Sequence, residues 1–279
     1  MTRAAVVDTH AHYWQPSASE VVNLAATDQP IDPASFVMLM DSAGVSRLLQ
    51  VTRYFDTDDY SLAGAAAHPT RFRVLGKFQH SMLTDPGSLA AWSARNGVVG
   101  LRVFTIPAEH ALYTSAADGF WSTAESLRLP ISIYAPGFTE GIARVATAHP
   151  DLRIVLDHAG TNVMTATPPE HRFEEWDATL ELAAVPNIFV KASALPEATG
   201  ESFPYPRAQE RLHALCTTFG ANRVMWGSNY TPAARAGSYE QLTEFARLAV
   251  APLTEPEQHS VLTGTAGRFF ELIRWIEGD

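Results

Sequence analysis

Eight short, apolar, β-branched runs recur along the whole chain, and their regular spacing limits the fold more than any other feature. They occupy residues 4–12, 47–53, 72–80, 98–104, 131–135, 153–158, 188–193 and 224–230. Most lie about 24 to 36 residues apart, room for a strand, two loops and a crossover helix each time. The intervening segments agree. Residues 34–43, 118–128, 139–148, 173–182, 207–219 and 238–248 space their apolar side chains at helical intervals, and several stop at Gly or Pro. The first interval is longer and carries Pro16, Pro30 and Pro33, so a loop precedes its helix, with Asp32 as cap and Pro33 at the first helical position. Residues 255–262 and 266–275 read as closing helices. Eight β-α units favour an α/β fold of the (β/α)8 TIM-barrel kind, one domain over residues 1–279, rather than an open doubly wound sheet. No Gly-x-Gly-x-x-Gly or Gly-Lys-Ser/Thr element follows any run, which counts against dinucleotide and P-loop sites.

Composition narrows the class. At 279 residues and 46% hydrophobic content the chain can bury a large core. A net charge of −10 without any basic run excludes nucleic acid and acidic membrane surfaces as expected partners. The only cysteine, Cys216, lies in a helical stretch and reads as a buried structural thiol. The N-terminus shows no apolar leader, and no stretch of about 18 apolar residues occurs, so the expectation is a cytoplasmic protein with no membrane span.

In barrels of this kind chemistry sits at the C-terminal ends of the strands. Here the runs end in His10 and His12, Arg53, His80, Arg102, Tyr134, Asp157 and His158, Lys191 and Ser193, and Ser228 and Asn229. Buried charges are costly unless paired, so side chains like these should face a pocket. Strand alternation puts Asp8, His10 and His12 on one face, with Asp8 deeper and structural, and turns Asp157 away from His158. Two close imidazoles can share a metal, polarise a carbonyl or relay a proton. Arg102 and Arg53 could clamp a carboxylate, although a surface ion pair with Asp56, Asp58 or Asp59 suits Arg53 slightly better. Lys191 could neutralise an acidic substrate or pair with a strand neighbour. His80 fits a pocket or a hydrogen-bonded core equally. His68, His110, His149, His171, His213 and His259 fall in loops or helices and receive no role. Aromatic residues cluster near the expected mouth, among them Tyr13, Trp14, Tyr54, Phe55, Phe104, Trp226 and Tyr230, which suits a cyclic or planar small molecule. Residues 196–206, with Phe203 and Tyr205, could form a lid.

Five motifs then follow in order: Asp8-x-His10-x-His12, Val99-Gly100-Leu101-Arg102, Asp157-His158-Ala159-Gly160, Val190-Lys191-Ala192-Ser193 and Met225-Trp226-Gly227-Ser228-Asn229-Tyr230. Over nearly its full length the chain resembles the amidohydrolase superfamily, in the amidohydrolase-related (family 2) branch, and is most similar to the sugar-lactone and 2-pyrone-4,6-dicarboxylate lactonases. The resemblance implies metal-ligand or carbonyl-polarising positions for His10, His12 and His158, substrate-binding positions for Arg102 and Tyr134, and the general-base position for Asn229.

The departures from that pattern are specific. Arg102 and Tyr134 stand where a binuclear enzyme wants a carboxylated Lys or Glu and a His, and an Arg has no lone pair for a metal. The expected cofactor is therefore none or one divalent ion, Zn most readily, held by His10, His12 and His158. An amide at Asn229 cannot deprotonate water. Either a histidine is the base and Asn229 orients the water, or the chemistry differs, or the Asn replaces an original Asp. The leading expectation is water attack on a small lactone, with Arg102, Tyr134, Lys191, Arg53 and His80 on the substrate. The rivals are a metal-dependent decarboxylase of an aromatic or dienoic acid, and an impaired barrel that only binds a small molecule. A homo-oligomer is compatible with all three.

Overall fold

A computed structural model describes residues 5–15, 26–105, 111–164 and 166–277. Residue 4, Pro16 and His110 lie outside them. Eight parallel strands, β1 (Val6–Ala11), β2 (Val45–Val51), β3 (Phe72–Lys77), β4 (Val98–Phe104), β5 (Ile131–Tyr134), β6 (Ile154–Leu156), β7 (Ile188–Ser193) and β8 (Val224–Gly227), are hydrogen-bonded in sequence order. Helices lie between them, so the fold is a (β/α)8 barrel. Strands covered on both faces read as continuous apolar runs, which is why the sequence marks them so clearly.

Beyond the β1–β8 ladder order, the ends of β8 and β1 meet through Asn229 N–H to the His10 carbonyl at 2.7 Å and His12 N–H to the Tyr230 carbonyl at 2.6 Å. The Thr9 hydroxyl donates to the Trp226 carbonyl at 2.6 Å across the same seam. Inside the barrel, Val7, Leu49, Val51, Leu75, Val155 and Met225 form one buried cluster with Phe269 and Phe270 of the C-terminal segment. That segment closes the end of the cylinder remote from the strand termini.

Local chemistry explains the helix starts. Asp32 caps Pro33–Ala43, accepting from Ser35 N–H at 3.0 Å, and Gly44 ends it at φ 69°. Ser238 and Gln241 form a capping box for Tyr239–Val250. Two helices of eight residues or more depart from the sequence expectation by appearing at all, Asp58–Ala67 and Pro86–Ser93. The first is rich in Ala and contains Gly64, whose missing side chain makes room for the Tyr13 ring; an added Cβ would stand 2.6 Å from the Tyr13 hydroxyl. Residues 173–182 shorten to a helix at Trp176–Glu181, and the closing helices are joined through a π-turn at Ser260–Gly264.

Candidate active site

At the C-terminal ends of the strands lies a cavity of about 260 Å³ lined by His12, Asp28, Arg53, Tyr54, Arg102, Phe104, Tyr134, His158, Val163, Met164, Glu197, Asn229 and Arg235, among others. An adjoining cavity shares Tyr54, Arg102, Phe104 and Met164 and adds Thr52, Lys77, Phe78 and His80. Of the residues expected from sequence, His12, Arg53, Arg102, Tyr134, His158 and Asn229 line the first cavity. His10 and Lys191 are fully buried beside it, and His80 borders only the neighbour.

Three backbone turns aim the side chains. His158, Ala194 and Asn229, which follow β6, β7 and β8, all adopt left-handed conformations with φ of 56°, 57° and 57°. Such a residue breaks the two-residue alternation of the strand before it. Asn tolerates this region because its short amide bonds locally, so backbone geometry alone is one reason for an Asn at position 229.

The rings of His10 and His12 stand 5.1 Å apart and those of His10 and His158 4.6 Å apart. His12 Nδ1–H donates to the Val51 carbonyl at 2.7 Å. Its Nε2 therefore carries a lone pair, 3.4 Å from Asn229 Oδ1. His158 Nδ1 lies 2.9 Å from the Ser193 hydroxyl, which also accepts from the His158 N–H at 3.1 Å. His10 Nδ1 adjoins Asp157 and Lys191, whereas its Nε2 is buried without a hydrogen-bond partner among the described residues. All three imidazoles are held neutral. Burial lowers His10 and His12 well below the usual histidine value; Lys191 adds to the effect on His10, and Arg53 and Arg102 on His12. For His158 burial, with Arg102 and Lys191, outweighs Asp157 and brings the value to about 3.

Asp157 corrects the sequence expectation that it faces away. It sits at the centre of a buried charge cluster, 2.9 Å from Arg102 Nε, 3.1 Å from Lys191 Nζ, 3.3 Å from His10 Nδ1 and 2.6 Å from the Ser132 hydroxyl. Burial alone would raise its carboxyl, but Lys191, His10 and Arg102 win and hold it well below the carboxylate range. Asp157 keeps the inward parity of Val155, which lies in the barrel interior, and it is left-handed His158 that breaks the alternation and comes inward as well. Lys191 is thus a partner of Asp157 and Ser132 rather than a cavity residue. Asp8 also leaves its expected face. A register shift between Asp8 and Ala11 lets it accept from Tyr239 of the outer helix at 3.0 Å and from the Ser228 N–H at 2.9 Å, while His10 turns inward.

Arg53 does not pair with Asp56, Asp58 or Asp59. Asp28 holds its guanidinium through two 2.8 Å bonds, and the group lies over the Trp14 and Phe55 rings. Arg102 spends only Nε on Asp157; its terminal nitrogens make no hydrogen bond among the described residues and border both cavities. Its carbon Cζ rests 5.3 Å from the Phe104 ring, which stacks on Tyr54 at 5.3 Å and Tyr134 at 5.0 Å. The Tyr134 hydroxyl, pushed up to about 12 by burial, ties down the loop after β6 through Asn162 Oδ1 and Val163 N–H. Tyr134 therefore offers the cavity a ring face.

Three charged cavity residues escape the sequence reading: Asp28, Glu197 and Arg235. Glu197 lies on the short helix Leu195–Thr199 and is 4% exposed. It accepts from Asn229 Nδ2 at 2.8 Å and pairs with Arg235. The only signal for it was its place four residues after β7, just behind Pro196 in the first turn of its helix. Of the lid expected over residues 196–206, Glu197 lines the cavity, whereas Phe203 and Tyr205 lie elsewhere. Tyr205 is buried and donates to the Ala236 carbonyl at 3.0 Å, and Phe203 borders a surface cavity with Ser42 and Glu240 on the outer helices.

Comparison with known proteins extends these observations. A family model described as Amidohydrolase matches residues 7–272. An L-fucono-1,5-lactonase from Burkholderia ambifaria is 26% identical over 253 residues, 84% of this chain and 82% of the relative. A crystal structure of an amidohydrolase from Burkholderia multivorans with bound zinc superposes with a TM-score of 0.79 at 18% identity, covering 96% of this chain and 99% of the other. A probable 2-pyrone-4,6-dicarboxylic acid hydrolase from Acinetobacter baumannii, with citric acid bound, gives 0.75 at 21% identity over 95% and 99% of the two chains. The structural likenesses are of fold. Among the described residues no helix is long and apolar enough to cross a membrane.

Proposed function

The chain belongs to the amidohydrolase family, and on that premise we propose that it hydrolyses a small lactone bearing an anionic group. A relative named as a lactonase and a structural neighbour named as a pyrone-dicarboxylic acid hydrolase support the reaction class. The observation that carries the reading is the pair formed by His12 Nε2 and Asn229 Oδ1. Two acceptors 3.4 Å apart repel unless a donor of two hydrogens bridges both from the cavity side, and a neutral His12 has no proton there to give. A water meets that requirement and leaves its lone pairs free to attack.

The step is then ordinary acyl chemistry. The water oxygen bonds to the lactone carbonyl carbon, and the carbonyl electrons move onto oxygen. His158 polarises that oxygen through Nε2–H in the tautomer where the Ser193 hydroxyl donates to Nδ1. Collapse breaks the bond to the ring oxygen, which leaves as a hydroxyl and gives a hydroxy acid. The free terminal nitrogens of Arg102 match a substrate carboxylate, and the Phe104 and Tyr134 rings match a cyclic body. Asn229 positions the water; His10 and Lys191 keep Asp157 and hence Arg102 in place.

A divalent metal, zinc in one solved structure of similar fold and manganese in another, fits this donor set poorly. Among the described residues no three His, Cys, Asp or Glu side chains are arranged to hold one. Arg53 and Arg102 already oppose a single proton on His12, as Arg102 and Lys191 do on His158, and a dication would meet the same field. The unpartnered His10 Nε2 is ligand-like, but one nitrogen is not a cage. No step above uses a metal, and the metal-dependent decarboxylase alternative meets the same objection.

The test is proton release from pyrone carboxylates and other carboxylated six-membered lactones. The chain should hydrolyse at least one, and His158→Ala should lower kcat by about 10²–10³. Hydrolysis of none, or unchanged turnover in His158→Ala, rejects the proposal.

A further inference from the structure

A water held by His12 and Asn229 still needs a base, and the usual candidates in the cavity are poor ones. An imidazole takes a proton only as well as its protonated form is tolerated, and here burial and the surrounding cations make that form costly on His10, His12 and His158 alike. Asn229 is an amide. Tyr134 is neutral at working pH. Two carboxylates line the cavity, Asp28 and Glu197. Both Asp28 oxygens are held by Arg53, and one also accepts from Thr231. Glu197 has lighter ties. One oxygen pairs with Arg235 and the other accepts a single bond from Asn229 Nδ2.

We propose that Glu197, carried on the helix after β7, is the general base that the eighth strand lacks, taking the proton from the water aligned by Asn229 directly or through one intervening water. The inference rests on the lactonase reading and adds a residue to it. Geometry supports the coupling, because a single amide touches both partners: Asn229 turns Oδ1 toward His12 and Nδ2 toward Glu197. The carboxylate also has the right strength. Burial raises it above the ordinary carboxylate value, Asp28 adds to this, and Arg235, Asn229 and Arg172 pull it back only in part. A raised carboxylate is a stronger base than an ordinary one, and Arg235 beside it favours its ionised form. As the water O–H breaks, its proton moves to Glu197 and its oxygen bonds to the carbonyl carbon. When the ring C–O bond breaks, the same proton passes to the departing oxygen, so Glu197 ends as it began and no further reagent is consumed.

The test is the pH dependence of kcat/KM for L-fucono-1,5-lactone and 2-pyrone-4,6-dicarboxylate. With the wild-type chain an acid limb should appear, set by the free-enzyme Glu197. Glu197→Gln should lower kcat about 10²–10⁴-fold and remove that limb, and Asn229→Asp added to it should recover part of the loss by restoring a carboxylate beside the same water. Arg235→Gln removes the cation that favours ionised Glu197, so it should move the limb to higher pH. Arg235→Gln keeps the inference testable if Glu197→Gln fails to fold. Glu197→Gln with kcat within tenfold of wild type, an acid limb that persists in that variant, or a limb unmoved by Arg235→Gln each overturns the assignment. A wild-type chain inert on both lactones overturns the lactonase reading itself, a result distinguishable from these.

Discussion

Exchanging Asp157 for Asn should be among the most damaging single changes available in this chain, and the geometry gives its size. Asp157 is 1% exposed and compensates Arg102 at 2.9 Å and Lys191 at 3.1 Å. At an effective dielectric of about 20, each contact is worth about 5–6 kcal/mol of gross attraction. Desolvation cancels much of this, and stripping one partner from a buried ion pair costs about 3–5 kcal/mol net. Arg102 cannot lose its proton, so the variant relieves itself at Lys191, which burial already holds below the usual lysine value. Without Asp157 the folded-state value of Lys191 falls further. The unfolded chain then binds more protons than the folded one up to the ordinary lysine range, and stability rises with pH across that window. Equilibrium urea unfolding at pH 7 should show a loss of about 3–5 kcal/mol, with a fall in Tm of about 10 °C. The loss should shrink toward pH 9, by at most about 1.4 kcal/mol per pH unit. Asp157→Asn combined with Lys191→Met should be less damaged than Asp157→Asn alone. A loss under about 1 kcal/mol at pH 7, or one that ignores pH, would refute the view of Asp157 as the hub of the cluster.

Other outcomes follow from the same contacts. Because His10, His12 and His158 are buried neutral, the unfolded state gains protons first as pH falls below about 6.5, so stability should drop by more than about 1 kcal/mol between pH 6.5 and 5; a flat urea-stability profile there contradicts this. Arg102→Gln should raise KM about 10–100-fold for a carboxylated lactone and much less for an uncharged one, and an equal effect on both would show that its free nitrogens do not meet the substrate. Cys216, 7% exposed and with its thiol pushed up to about 12 by burial, should resist alkylation in the native protein and react on unfolding; stoichiometric labelling of native chain would disprove its enclosure.

The barrel was readable because its strands announce themselves: Val98–Phe104 and Ile188–Ser193 coincide with their apolar runs. His12, Arg102, Tyr134, His158 and Asn229 were readable because ionisable or polar groups closing such runs have few places to go except a cavity. What failed was the assumption that alternation continues past the strand. Left-handed His158 brings its own ring to the interior beside Asp157, which keeps the parity of Val155, and the shift after Asp8 leaves that carboxylate outward. The helix Asp58–Ala67 was hidden by its Ala-rich, weakly patterned surface. Glu197 was invisible for a different reason. Its surroundings are assembled from Asn229 and Arg235, more than thirty positions further along, and no local pattern records such a meeting.

The seam between β8 and β1 places His10 and His12 against Asn229 and Tyr230. A ribosome must therefore add more than two hundred residues after the first imidazoles before these acquire their counterparts, and a nascent product truncated before Asn229 carries no half-active centre. Cutting the polypeptide in an outer loop and re-pairing the two pieces should restore turnover only when both edges of the junction associate, which would make this barrel a natural reporter of its own closure.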